Sequence, residues 1–210
     1  MTQSNFNTDS LTPTPTNLVL VLSGPSGVGK DSALDTMKVR TMPLCYIVTN
    51  TTRPQRPGEI DGEHYHFISR TEFSRMISAN ELLEHAEVYG NFYGVPKTMV
   101  RQAIDYGKDV IIKVDVQGAI TIKKNLPDAI LIFLMPPSLD ELAKRLNKRG
   151  TENSADLELR LNTAQSEIAQ LSLFDYYVVS YANQLESVAD NIAAIIASEK
   201  MRVKLRKYDF

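Results

Sequence analysis

The sequence predicts an α/β fold, a parallel sheet with helices on both faces. Three observations point there. Unbroken apolar runs of strand length recur along the chain, as strands buried on both faces require. Helical stretches lie between several of them. The first run leads into a glycine-rich loop and then a helix.

The first run is Leu18-Val19-Leu20-Val21-Leu22, bounded by Ser23-Gly24-Pro25. Cys45 to Val48, Val110 to Val114, Ala129 to Met135 and Tyr176 to Val179 are the other strand candidates. Helices are expected over 30–40, 116–125, 138–148, 155–171 and 184–201. The rhythm breaks between Thr49 and about Val100, where Pro54, Pro57, Gly58, Gly62, Gly90, Gly94 and Pro96 crowd the chain. Short alternating stretches such as His64-Tyr65-His66-Phe67-Ile68 predict a small insertion with some antiparallel structure. The segment from Arg145 to Arg160 reads as helical and basic, with an interruption at Gly150. Residues 1–16 are polar, end in Thr-Pro-Thr-Pro-Thr and read as a flexible tail, because alternating prolines favour extended structure.

Bulk composition narrows the function. The 210 residues are 43% hydrophobic and 23% charged, which fits one compact core with small appended lobes. With 23 Lys and Arg against 25 Asp and Glu, there is no basic field of the kind a nucleic-acid binder needs. Anionic ligands must therefore be captured by local clusters. No apolar stretch is long enough to span a membrane, and the first residues lack the basic and apolar parts of a secretory signal. The expectation is a cytoplasmic protein. Cys45 is the only cysteine, which excludes an internal disulfide and reads as a small buried hydrophobe. His64, His66 and His85 lack metal-site spacing.

The strongest local signal is Gly24-Pro25-Ser26-Gly27-Val28-Gly29-Lys30, a G-x-x-x-x-G-K motif between a strand and a helix. Glycines free the backbone, so that successive N–H groups can point at phosphate oxygens beside a helix N-terminus. Lys30 adds a point charge for the β and γ phosphates. The fold class sharpens to a P-loop NTPase-like sheet, with ATP the expected ligand. The common motif continues with Ser or Thr as a magnesium ligand. Here Asp31 takes that place and Ser32 follows. A carboxylate beside triphosphate would repel it unless it faces Mg²⁺ or its water shell; the metal ligands stay unassigned.

A second cluster leaves the second strand: Thr49-Asn50-Thr51-Thr52-Arg53-Pro54-Gln55-Arg56-Pro57-Gly58-Glu59. Arg53 and Arg56 can both reach one anion, since a planar guanidinium suits bidentate phosphate binding. The Tyr65 hydroxyl is a further donor.

These motifs, together with Asp61-Gly62, Glu84-His85-Ala86-Glu87-Val88-Tyr89-Gly90-Asn91-Phe92-Tyr93-Gly94, Asp115-Val116-Gln117-Gly118-Ala119 and Arg149-Gly150-Thr151-Glu152, resemble the guanylate kinase family. They occur in family order and cover nearly everything from Asn17 onward. The resemblance implies an ATP:GMP phosphotransferase, with Mg²⁺ arriving on ATP. It implies that Gly24 to Ser32 and Arg145 hold ATP. It also implies that Thr49, Arg53, Arg56, Tyr65, Glu84, Tyr93, Gly94 and Asp115 hold GMP. Arg53, Arg56, Tyr65 and Tyr93 would take the phosphate, and Glu84 the guanine N1–H and amino group. A carboxylate accepts two parallel donors, which guanine offers and adenine does not. Lys30, Arg53, Arg149 and Arg160 would act on the transferring group. The implied division is a core (17–48, 101–140, 165–210), a GMP-binding insertion (49–100) and a lid (141–164) carrying Arg145, Arg149 and Arg160.

Four departures from the family pattern bear on chemistry. Val95 stands where Ser or Thr is common. Lys113 stands where an acid is usual. Ser180-Tyr181 stands near the family's adenine-contacting Asn-Asp pair, and Asp31 follows the loop lysine. Lys113 lies near the end of a predicted core strand and Asp31 opens the helix after the phosphate loop, so both are expected at the same sheet edge, with Asp31 pairing with Lys113 or orienting a magnesium-bound water. Two rivals stay open: a non-catalytic guanylate-kinase-like module that binds phosphorylated partners, and a kinase for another monophosphate.

Overall fold

The computed structural model describes residues 16–40, 43–88, 90–147 and 154–210. The expected tail therefore lies outside the described residues up to position 15, as do Tyr89, Arg149 and Gly150.

A five-stranded sheet forms the centre: β1 (Val19–Ser23), β2 (Leu44–Tyr46), β7 (Asp109–Lys113), β8 (Ile130–Met135) and β9 (Tyr176–Val179). The order is β2-β7-β1-β8-β9 and every pairing is parallel. All five strands overlap the apolar runs, although β2 begins at Leu44 and ends at Tyr46, short of the expected Val48. The reason for those runs is visible in β1. Leu20 and Leu22 pack on one face with α1 (Lys30–Val39) and α7 (Leu185–Lys200), alongside Met37, Val188 and Ile192. Val19 and Val21 pack on the other with α3 (Lys97–Asp105) and α4 (Val116–Asn125), alongside Val100, Ala119 and Ile122. Neither face meets water, so neither can be polar.

The segment between β2 and α3 folds as a second sheet of β3 (Asn50–Thr51), β4 (His66–Phe67), β5 (Leu82–Val88) and β6 (Asn91–Pro96), in the order β4-β3-β6-β5. Its pairings are antiparallel except β3 with β4, which is parallel. The alternating stretch at 64–68 yields only the two residues of β4. The chain before it turns instead, and Asp61 Oδ1 accepts the Phe67 N–H at 2.9 Å. α2 (Arg70–Ser78) and α3 lie where the proline and glycine content had pointed only to loops and strands. Ser69 caps α2 by accepting the Glu72 N–H, and Phe73 and Met76 are its buried side.

After β8, α5 (Leu139–Asn147) and α6 (Ser154–Ile168) pack through Leu142, Leu146 and Ala164. Beyond α7, the last residues return to the core. The Val19 N–H donates to the Tyr208 hydroxyl at 3.0 Å, and Arg206 pairs with the buried Glu199 at 2.8 Å. Burial alone would raise the Glu199 carboxyl, but hydrogen bonds from Arg206 and Tyr176 hold it at about 2. Sequence patterns gave no sign of this return. Among the described residues, no helix is long and apolar enough to cross a membrane.

Candidate active site

Parallel strands open a crevice beyond their carboxyl ends, and the candidate site occupies it. β1 runs into the glycine loop, and Gly29 (φ 105°) caps α1. Gly24 has no substitute: at φ 139°, a Cβ there would stand 2.2 Å from the Leu134 carbonyl oxygen. Lys30 Nζ donates to the carbonyls of Gly24 (2.5 Å) and Pro25 (3.1 Å). Burial pulls the Lys30 ammonium down to about 8, against the carboxylates of Glu167, Asp31 and Asp115 and with the help of the Lys113 charge.

The loop borders a cleft of about 390 Å³. Its walls bring together Gly24, Ser26, Gly27, Val28, Gly29, Lys30 and Asp31 with Thr49, Tyr65, Glu84, Tyr93 and Asp115. Neither Pro25, whose carbonyl accepts from Lys30, nor Ser32, whose carbonyl accepts from the Thr36 hydroxyl, lines the cleft. β5 supplies Glu84, Ala86 and Val88, three alternate residues on one face of a strand. Ala86 and Val88 were legible in that alternation but were not among the sequence candidates.

Glu84 is 5% exposed. Burial first, and the Asp115 carboxylate second, push its carboxyl up to about 8. Asp115 caps α4, its Oδ1 accepting the Gly118 N–H at 2.7 Å. Gly118 makes room for both acids, since a Cβ there would lie 3.1 Å from Glu84 Oε2, 3.3 Å from Asp115 Oδ1 and 3.0 Å from Val114 Cβ. Gly118→Ala should therefore displace the Glu84 carboxyl. The expected result is a rise of about tenfold in the KM for the acceptor nucleotide with that for ATP unchanged, as one misaligned polar contact would give. Steady-state kinetics with each substrate varied in turn checks it.

Five residues, Asp31, Thr49, Tyr65, Tyr93 and Lys113, line both this cleft and a second cavity of about 350 Å³. That cavity holds Arg53 and Arg56, as their spacing suggested. Arg53 donates to Glu59 Oε1 at 2.6 Å and to the Pro54 carbonyl at 2.7 Å, and stacks over the Tyr65 ring at 5.5 Å. Hydrogen bonds to Glu59 and Tyr93 hold its guanidinium firmly charged. The Glu59 carboxylate also accepts the Arg56 N–H at 2.8 Å, so one acid folds the arginine loop. Tyr65 and Tyr93 meet edge to face, with centroids 5.9 Å apart.

Not every candidate lines a cavity. Gly94 lines neither cavity. It is buried under Phe73 and Leu82, which a Cβ would meet at 2.9 and 3.0 Å. Its role is to let β6 approach α2. Val95 points into the core beside Leu83 and Val100, fully buried, and not toward the cleft. Arg145 ties α5 to the phosphate loop, donating to the carbonyls of Val28 (3.1 Å) and Ser180 (2.8 Å). Arg160 lies on α6, and Arg149 is outside the described residues. Asp31 and Lys113 form an ion pair at the sheet edge.

Glu167 was missed. It stands on α6 two turns after Arg160, on the same helix face, and reaches the cleft. The Ser26 N–H bonds its carboxylate and Lys30 attracts it, while burial holds it above the usual carboxylate range. A lone Glu in a polar helix carries no sequence signal for that position.

Comparison with known proteins places this geometry. The family model described as guanylate kinase matches residues 16–199. A guanylate kinase from Desulfitobacterium hafniense strain Y51 is 45% identical over 193 residues, covering 92% of this chain and 96% of its own. A rice protein named guanylate kinase 2, chloroplastic/mitochondrial, is 41% identical over 204 residues, covering 97% of this chain and 72% of its own. The crystal structure of a guanylate kinase from Anaplasma phagocytophilum superposes with a TM-score of 0.71 at 34% identity, covering 90% of this chain and 89% of that one.

Proposed function

The chain belongs to the guanylate kinase family, and we propose that its joined cavities transfer the γ-phosphoryl group of ATP to GMP, and to dGMP, giving ADP and GDP. One observation carries the reading. A phosphate-loop cleft with a buried carboxyl, Glu84, in its wall shares Thr49, Tyr65 and Tyr93 with a pocket that holds two arginines.

In this reading, the loop N–H groups and Lys30 take the ATP phosphates. Arg53, Arg56, Tyr65 and Tyr93 take the GMP phosphate, Glu84 accepts from the guanine N1–H and amino group, and Asp115 completes the nucleoside site. A phosphate oxygen of GMP is the nucleophile. It bonds to the γ-phosphorus as the bond to the β–γ bridging oxygen breaks, and that electron pair leaves with ADP. The nucleophile is already ionised at neutral pH, so no general base is required. Catalysis rests on positioning and on neutralising charge. Segment 49–100 is proposed to hold the acceptor and segment 141–164, with Arg145, Arg149 and Arg160, to cover ATP and exclude water.

The donor set suits Mg²⁺ carried in on ATP. Mg²⁺ takes one or two carboxylates and completes its shell with phosphates and water. The cleft offers Glu167 across from the loop, with Asp31 held by Lys113 and Glu84 and Asp115 assigned to the nucleoside, and no group of three or more acidic, His or Cys side chains that could hold a metal ion exists among the described residues. Bound there, the ion would offset charge on the β and γ phosphates. The balanced net charge supports small nucleotides over nucleic acid as ligands, and the proposed place of work is the cytoplasm. A module that only binds phosphorylated partners has no use for a phosphate-loop lysine, so Lys30 supports catalysis over that alternative.

The test is a coupled ADP-release assay with GMP, dGMP, AMP, CMP and UMP as acceptors. GMP and dGMP should turn over, with the others slower by at least about 100-fold in kcat/KM, as expected when a site built for hydrogen bonds meets an analogue that cannot make them. Comparable rates with AMP or the pyrimidine nucleotides would overturn the reading.

A further inference from the structure

Of the five residues that line both cavities, Lys113 alone is a cation. Lys30 lines only the phosphate-loop cleft, and Arg53 and Arg56 line only the second pocket. A phosphoryl group passing from one to the other must cross the boundary the shared residues form. We propose that Lys113 is a catalytic residue of this transfer, its ammonium binding the phosphoryl group in flight, and that Asp31 is the positioning residue that holds it there. The proposal rests on the donor and acceptor sites assigned above.

The placement follows from the fold. Lys113 is the last residue of β7, paired in register with Leu22 of β1, one residue before the strand gives way to the phosphate loop. Its ammonium pairs with the Asp31 carboxylate in the first turn of α1 and lies 5.9 Å from the Tyr65 ring centroid. Asp31, Tyr65 and the nearby Lys30 charge are the groups it faces. The side chain is 27% exposed and its partner 70%, so water reaches the pair and it adds little to stability. An ion pair of small structural worth, anchored between two anion sites, fits a working role better than a scaffolding one.

The chemistry is direct. Charge spreads over the three equatorial oxygens as the acceptor oxygen bonds to phosphorus and the bridging oxygen departs with its electron pair. Lys113 donates hydrogen bonds to those oxygens and keeps its protons. Lys30 and Lys113 repel across the site, and a phosphoryl group between them removes that repulsion. Asp31 offsets it beforehand. This accounts for two departures at once: the lysine where the family usually has an acid, and the acid after the loop lysine. Each would disturb the site alone; together they pair, and the site is left one charge more positive than the hydroxyl and acid of the family pattern would make it.

The experiment compares wild type with Lys113→Met, Lys113→Arg, Asp31→Asn and the Lys113→Met/Asp31→Asn double variant. It measures kcat, both KM values, calorimetric binding of ADP and GMP, and Tm. Lys113→Met should lose about 100-fold in kcat, while both KM values, both binding constants and Tm stay within about threefold or a few degrees. Arginine should restore at least about tenfold of the loss. Asp31→Asn should lose several-fold in kcat, and nothing further should be lost when it is added to Lys113→Met, because the positioning residue then has nothing to position. Unchanged kcat in Lys113→Met would overturn the inference. So would additive losses in the double variant, a loss confined to KM or Tm, or no recovery with arginine. Wild type in the same assay separates the two claims. GDP formation by wild type with an active Lys113→Met enzyme sinks only the role of Lys113, whereas no GDP from wild type sinks the function itself.

Discussion

Lys30→Ala should leave a folded protein that turns over GMP about 10²–10³-fold more slowly, the loss typical of removing one preorganised donor from developing charge. Lys30 follows six residues of loop whose backbone has one workable path, fixed by the contact of Gly24 with the Leu134 carbonyl. Its ammonium is held by the Gly24 and Pro25 carbonyls, in the cleft proposed to take the ATP phosphates. Alanine cannot supply charge there, and the retained loop N–H groups should preserve much of the ATP binding. The fold should survive, because the wild-type residue costs stability. Burial lowers its pKa from 10.5 to about 8. Between those values the unfolded chain binds more protons than the folded one, so wild-type stability should rise from about pH 8 to pH 10.5, and the alanine variant should lack that rise. Stopped-time assays of GDP formation and thermal melts across pH check both parts. Near-normal turnover in a folded variant would remove Lys30 from the chemistry.

Glu84→Gln should damage GMP use far more than ATP use. The guanine N1–H and amino group are both donors, and the ionised carboxylate accepts both. Glutamine turns one acceptor into a donor, a mismatch of ~1–3 kcal/mol, or roughly 10- to 100-fold in KM for GMP. pH gives a sharper signature. With its carboxyl at about 8, Glu84 holds a proton at neutral pH that faces a guanine donor. GMP should bind the ionised form more tightly, so binding below pH 8 releases that proton. The KM for GMP should fall as pH rises from about 6.5 to 8, by up to about tenfold per unit, and level off above. Glutamine cannot titrate, and its profile should be flat. Initial rates at saturating ATP over pH 6.5–9 provide the test. Equal losses for ATP and GMP, or a wild-type slope that persists in the variant, would mean that Glu84 does not read the base.

What could be read from the sequence divides along a physical line. The core strands were legible because burial on both faces forces unbroken apolar runs, as in Leu18 to Leu22. The phosphate loop was legible because close backbone approach demands glycine at fixed spacing. The arginine pair was legible from its local spacing. Lys113 and Asp31 were expected at one edge because one ends a strand and the other begins a helix after a neighbouring strand, and they do pair there. α2 and α3 were hidden by surrounding prolines and glycines, which signal turns whatever lies between them. Glu167 was hidden because its place depends on how α6 packs, a tertiary fact with no local pattern. Val95 was marked as a departure because Ser or Thr is common at its place in the motif. Pairing across β5 and β6 sets it opposite Glu84, but its side chain is fully buried among core residues and does not line the cleft. Gly94 is closely packed under Phe73 and Leu82 and lines neither cavity.

If the proposed function is right, this cleft phosphorylates a guanine nucleotide and rejects adenine. A competition experiment tests it most directly: ATP and Mg²⁺ with equal GMP and AMP in one tube, every nucleotide quantified by ion-exchange chromatography over time. GMP should disappear, one GDP and one ADP should appear for each GMP consumed, and AMP should stay constant. Loss of AMP at a comparable rate, or ATP breakdown without matching GDP, would contradict it.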